Sequence, residues 1–181
     1  MPVRRSLALA AALAVLGLTS SARAEDGAAP DARPTPVRLR AFGGVAHGSL
    51  FGLPVTGPSG GGGVGGGVRR SWGGADGFGD LTYDALSTEH GVGVHRLAFG
   101  ASGEVYAWHV RAGAGVDLGM AWLARLSASN ESARRVYVGA HATLGVDLFT
   151  AGGVTPYLQG RAEYSTAFPT FGASGGVRYA F

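Results

Sequence analysis

The chain has 181 residues, 33 of them glycine; it is 46% hydrophobic and contains no cysteine, so it has room for one domain and no means of building disulfides or thiolate metal sites. Its formal charge of +3 comes from 15 arginines, with no lysine, against 12 acids. Arg4, Arg5 and Arg23 lie in an N-terminal leader, so the remainder is neutral, which argues against a nucleic-acid-binding surface.

Residues 1–24 divide into the three parts of a secretory signal. Arg4 and Arg5 form the charged start, Leu7 to Leu18 the apolar stretch, and Ala22-Arg23-Ala24 a small-residue cleavage site before Glu25. The apolar stretch is too short to span a bilayer comfortably, which favours a cleaved signal over an anchor. Glu25 to Pro36, with Pro30, Pro34 and Pro36, reads as a flexible lead-in.

From Val37 onward the period is two. No internal apolar run reaches the roughly 18 residues of a membrane helix, so the hydrophobicity is spread by alternation. Between Tyr106 and Leu126 every even position is apolar, and Val136 to Leu148 repeats the pattern. The spacing predicts eight strands, at 37–48, 60–72, 77–87, 92–101, 105–126, 134–149, 154–167 and 171–181. Short turns are expected at 73–76, 102–103 and 151–153, and longer connections at 49–59, 88–91 and 127–133, on opposite ends of an antiparallel up-and-down barrel.

The faces of these strands differ in kind. One carries Arg38, Arg40, Arg69, Asp80, Asp84, Arg96, Arg111, Asp117, His141, Asp147, Arg161, Glu163 and Arg178; the other is apolar, with Trp72, Tyr106, Trp108, Trp122, Tyr164 and Phe168 near strand ends. Aromatics at strand ends suit the interfacial girdles of a lipid-facing band, so the charged face is assigned to the lumen and the apolar face to lipid. A soluble barrel would reverse the two. An eight-stranded interior is just wide enough for side chains to fill, so the charges are expected to pair across strands and plug it. A loop centred near Asn130 would place position i of the fifth strand opposite about 260 − i of the sixth, setting Asp117 opposite Thr143 and diagonal to His141, with Arg111 diagonal to Asp147.

The last segment, Phe171 to Phe181, resembles the terminal strand of outer-membrane β-barrel proteins, with Val177, Tyr179 and Phe181 matching the alternating pattern and terminal aromatic of their assembly signal. With the leader and eight strands, residues 37–181 resemble the small OmpA/OmpX/OmpW-like barrels. The resemblance implies an all-β transmembrane barrel in the outer membrane of a Gram-negative-type cell envelope, reached by secretion across the inner membrane. The flexible lead-in read at 25–36 is then expected to be periplasmic. The partners it implies are outer-membrane lipid and the barrel-insertion machinery, with the chain a monomer and any ligand of the surface loops unspecified.

Three patterns could carry chemistry. Gly61 to Gly66 fits G-x-G-x-x-G, but the fingerprint needs a helix after it and a strand-like segment with Arg69 and Arg70 follows, so the glycines are read as room for neighbouring arginines. His47-Gly48-Ser49 resembles the lipid-facing His-x-Ser pair of outer-membrane lipid A deacylases, without an acid nearby to orient the histidine. Glu89, His90 and His95 lie close together around a loop. None of these is assigned a catalytic, cofactor or metal role. The expectation is therefore a structural or surface-interaction barrel, not an enzyme, with a narrow porin-like channel for small solutes as the alternative and a lipid A-modifying enzyme behind it.

The leader yields a direct check. N-terminal sequencing of the protein from outer-membrane fractions should begin at Glu25, and recovery of intact Met1 from that fraction would overturn the cleavage assignment.

Overall fold

The computed structural model describes residues 33–34, 36–125 and 134–181. The expected signal at 1–24, most of the lead-in and the connection at 127–133 lie outside the described residues. The elements are β1 (Arg33–Pro34), β2 (Arg38–Leu50), β3 (Leu53–Arg70), β4 (Gly73–Ser87), β5 (Val92–Ala107), β6 (Val110–Arg125), β7 (Arg134–Asp147), β8 (Val154–Ser165) and β9 (Thr170–Ala180). All pairings are antiparallel, in the order β1-β3-β2-β9-β8-β7-β6-β5-β4, and a further β3–β4 ladder closes β2 to β9 into an eight-stranded barrel. Closure matters because an apolar-walled sheet with an open edge would leave backbone N–H and C=O groups without partners.

Alternation decides which side of each stave faces in. Leu118, Leu144 and Phe99 are 60%, 63% and 65% exposed on the outer wall, whereas Asp80, Arg96 and Asp117 are only 1%, 1% and 2% exposed inside. The usual arrangement of a soluble barrel is thus inverted. Both described chain ends lie at one end of the barrel, the terminal end, with the connections at 71–72, 108–109 and 148–153. The distal end carries 51–52, 88–91 and 166–169.

Several expectations need correction. The long connection expected at 49–59 is a two-residue turn, Phe51-Gly52, with φ of 50° and 83°, and β3 starts at Leu53. Two consecutive positive φ values match the twist of flanking strands, which is why so short a hairpin closes here. Pro54 and Pro58 misled because proline normally interrupts a ladder. Pro54 lies beyond the last β3–β4 pair, and Pro58 falls in the gap of that ladder between Thr56↔Ser87 and Ser59↔Asp84, positions that suit a residue without an N–H. The turn expected at Ser102-Gly103 is strand, and the chain reverses instead at Trp108-His109, with Trp108 at φ 53°.

Two aromatic assignments also need correction. Tyr106 belongs to β5, where even positions point inward, and its ring lies against Arg111 at 4.6 Å inside the lumen. Phe168, also expected in the lipid girdle, is buried in the distal mouth with Ala46, Val55, Leu86 and Val94. In the β6–β7 hairpin the register is displaced by four residues, Asp117 pairing with Gly139 and Arg111 with Gly145. An even displacement keeps every side chain on its face, so Asp117 remains diagonal to His141 and Arg111 to Asp147. Within the expected lead-in, Arg33 and Pro34 pair with Arg69 and Val68 of β3.

The native absence of cysteine makes the inverted wall testable. In vesicle-reconstituted protein, a membrane-partitioning thiol probe should label Val116→Cys, Leu118→Cys and Val146→Cys and spare Ala98→Cys and Ser102→Cys; the opposite pattern would contradict the assignment of faces. Leu118→Arg near the middle of the wall should cost about 2–4 kcal/mol of folding stability in lipid.

Candidate functional site

The lumen is built by setting large side chains over glycines. A Cβ on Gly63 would lie 2.1 Å from Asp80 Oδ1, on Gly115 2.6 Å from the His141 ring, and on Gly119 2.6 Å from the Tyr137 ring. No such approach is sterically allowed, so Gly63 and Gly65 of β3 and the inward glycines of β6 are clearances for side chains reaching across from neighbouring staves. The G-x-G-x-x-G at 61–66 therefore lies inside β3, with strand on both sides of it.

Two tiers of charge fill this space. In the tier nearer the distal end, Arg96 Nη2 donates to both Glu163 carboxylate oxygens at 2.6 Å, and Nη1 donates to Thr170 Oγ1 at 3.1 Å. Asp84 lies 3.4 Å from Arg96 Nε. The guanidinium stands over the rings of Tyr137 and Phe168 at 5.0 and 5.3 Å. Beside it Arg161 donates to Asp117 at 2.7 Å, and His141 Nδ1 meets the same carboxylate at 2.6 Å.

The second tier lies toward the terminal end. Arg40 pairs with Asp80 and Glu104, donates to Ser102 Oγ at 2.9 Å, and packs over Phe78 at 4.0 Å. Arg178 reaches Glu104 at 3.2 Å and Asp147 at 2.8 Å, over the Tyr157 ring at 3.8 Å. Arg111 holds Asp147 at 2.6 Å and lies 3.5 Å from Asp76, which also pairs with Arg38. Tyr137 and Tyr157 offer ring faces to arginines, and their hydroxyls make no hydrogen bond among the described residues.

Of the residues assigned to the lumen from sequence, the structure brings Arg38, Arg40, Asp80, Asp84, Arg96, Arg111, Asp117, His141, Asp147, Arg161, Glu163 and Arg178 into these two tiers. Arg69 is the exception. It has inward parity but sits at the terminal end of β3, exposed, with no ion pair among the described residues. Glu104 and Asp76 also join the network, although the spacing predicts a turn on or beside each. Glu104 is the hub of the second tier, contacted by Arg40, Arg111 and Arg178. Extending β5 through Ser102 puts Glu104 on the same parity as Arg96, and that was the available signal.

The other candidates lie elsewhere. Val177, Tyr179 and Phe181 are exposed on the outer wall, with the Tyr179 and Phe181 rings edge-to-face at 4.9 Å. The Phe181 N–H donates to the Val37 carbonyl at 3.1 Å, tying the C-terminus to the start of β2. His47 and Ser49 also face outward; His47 Nδ1 contacts Thr56 Oγ1 at 2.6 Å, and the described outer wall offers no carboxylate to orient it. Glu89 and His90 are exposed in the 88–91 connection, whereas His95 stacks on Trp122 at 5.5 Å. Among the described residues no group of three or more potential ligands is arranged to hold a metal ion.

A lumen arranged in this way can hold the staves together and exclude solute. Its charged side chains are engaged with one another, and a cavity of about 40 Å³ bordered by Thr82, Asp84, Arg161 and Glu163 has room for roughly two or three waters. No family model matches the chain, and no curated protein sequence does. Solved structures do. The chain superposes on Neisserial surface protein A (NspA) with a TM-score of 0.61 at 16% identity, over 82% of this chain and 99% of that one. The N-terminal β-barrel domain of Pseudomonas aeruginosa OprF aligns with a TM-score of 0.47 at 14% identity, over 82% and 100%. The chain has the fold of a small eight-stranded outer-membrane β-barrel.

Proposed function

We propose that the chain is an outer-membrane barrel, exported with a cleavable signal, whose lumen is a structural plug and whose role is structural or surface-interacting without a catalytic step. The observation that carries this reading is the filling of the lumen. An apolar cluster of Ala46, Val55, Leu86, Val94 and Phe168 lies in the distal mouth, and the two tiers of paired charges occupy the space below it. Lipid is the natural solvent for the outer wall, because so much contiguous exposed apolar surface is a liability in water. Placing the termini in the periplasm puts the distal end outside. Among the described residues, the surface then presented includes Phe51-Gly52, the 88–91 connection with Glu89 and His90, and 166–169.

Conductance distinguishes this reading from a narrow channel. Refolded protein in planar bilayers should give no single-channel steps above leak. Reproducible steps would overturn the plugged lumen and favour the channel.

A further inference from the structure

The charges on the outer wall are one-sided. Every carboxylate in the described strands projects into the lumen, but the outer wall keeps bases at its rims. At the distal rim Arg134 is exposed and pairs in register with Trp122, so the two side chains share the outer face. Trp122 in turn pairs in register with His95 of β5. The rings of His95 and Trp122 stack at 5.5 Å and 16°, and Tyr83 on β4 stacks on His95 at 6.0 Å, with its hydroxyl 2.8 Å from His95 Nδ1. Four adjacent staves thus place a guanidinium, an imidazole, an indole and a phenol side by side near the distal end. Arg134 has no carboxylate partner among the described residues.

We infer that this row binds the phosphate-bearing headgroup of a lipid in the leaflet at the distal end. The inference rests on the membrane reading above. An arginine on a lipid-facing wall is costly in hydrocarbon and belongs at headgroup depth. There its planar fork matches a phosphate bidentately, which an ammonium cannot do. Trp122 and Tyr83 are the side chains that settle at that depth, apolar body toward the acyl chains and polar tip toward the headgroups. With Nδ1 taken by Tyr83, His95 keeps Nε2 as its remaining polar atom for the same group. Charge complementarity selects the occupant, since a zwitterionic headgroup brings its own cation and an anionic one does not.

Tryptophan fluorescence reads this site directly. The chain has three tryptophans, and Trp72 and Trp108 lie in turns at the opposite end, so a Trp72→Phe/Trp108→Phe variant reports from Trp122 alone. It would be reconstituted in phosphatidylcholine vesicles containing either dibrominated phosphatidic acid or dibrominated phosphatidylcholine as quencher. Phosphatidic acid should be favoured at Trp122 by about fivefold, the scale of one arginine near an anionic surface, and the preference should fall as salt is raised. Arg134→Gln should abolish the preference, while Arg134→Lys should retain part of it and Arg70→Gln, at the opposite rim, should leave it intact. Equal quenching by the two lipids, or a preference unchanged in Arg134→Gln, would overturn the headgroup site while leaving the membrane reading in place. Absence of quenching by either lipid would overturn both.

Discussion

An arginine in water is satisfied wherever it points, but inside an eight-stranded barrel there is no bulk water for it to meet. Each cation turned inward therefore requires an anion on another stave, at a height and angle that the strand register must supply. Arg96 on β5 finds Glu163 on β8, and Arg178 on β9 finds Glu104 on β5, both reaching across the lumen. Arg40 on β2 finds Asp80 on β4 over the glycines of β3. Removing one partner from such a pair leaves an uncompensated buried charge, which typically costs about 3–5 kcal/mol. The acids of the described strands all serve these pairs, which leaves the outer wall without carboxylates and with its bases only at the rims.

Glycine makes this density of side chains attainable. In a strand it normally weakens pairing, since it has high chain entropy and nothing to pack. Here the absent side chain is the useful feature. Asp80 lies where a Cβ on Gly63 would be, Phe78 where one on Gly65 would be, and Tyr157 where one on Gly176 would be. Large residues on one stave and glycines on the next form a complementary pair of surfaces, so the narrow interior is filled without forcing the staves apart.

Much of this could be read from the sequence, because period-two alternation is a local signal and an even register error does not change a face. The inward set from Asp80 to Arg178 could be assigned by parity alone, and the four-residue displacement of β6 against β7 left Asp117 beside His141. Turns were harder to place. Pro54 and Pro58 signal a break, yet both occupy positions where the β3–β4 ladder asks for no donor. Trp108, a strand former by composition, takes a left-handed turn conformation instead. One misplaced turn removed Glu104 from the network and sent Tyr106 to the wrong side of the wall. Phe168 could not be read by alternation, because it lies in the 166–169 connection, where parity has no meaning. It is held by Ser165, whose hydroxyl donates to its carbonyl at 2.8 Å.

The central claim is that the interior charges stabilise the barrel as interdependent pairs, and a double-mutant cycle on Arg96 and Glu163 tests it most directly. The measurement is reversible urea unfolding in lipid vesicles for the native chain, Arg96→Met, Glu163→Gln and the double variant. The account predicts that each single change destabilises by about 3–5 kcal/mol and that the double variant loses clearly less than their sum, because neither charge is then left without its partner. Additivity to within about 0.5 kcal/mol would contradict it, since independent effects would mean that each group is satisfied by solvent and the lumen is not the closed network described.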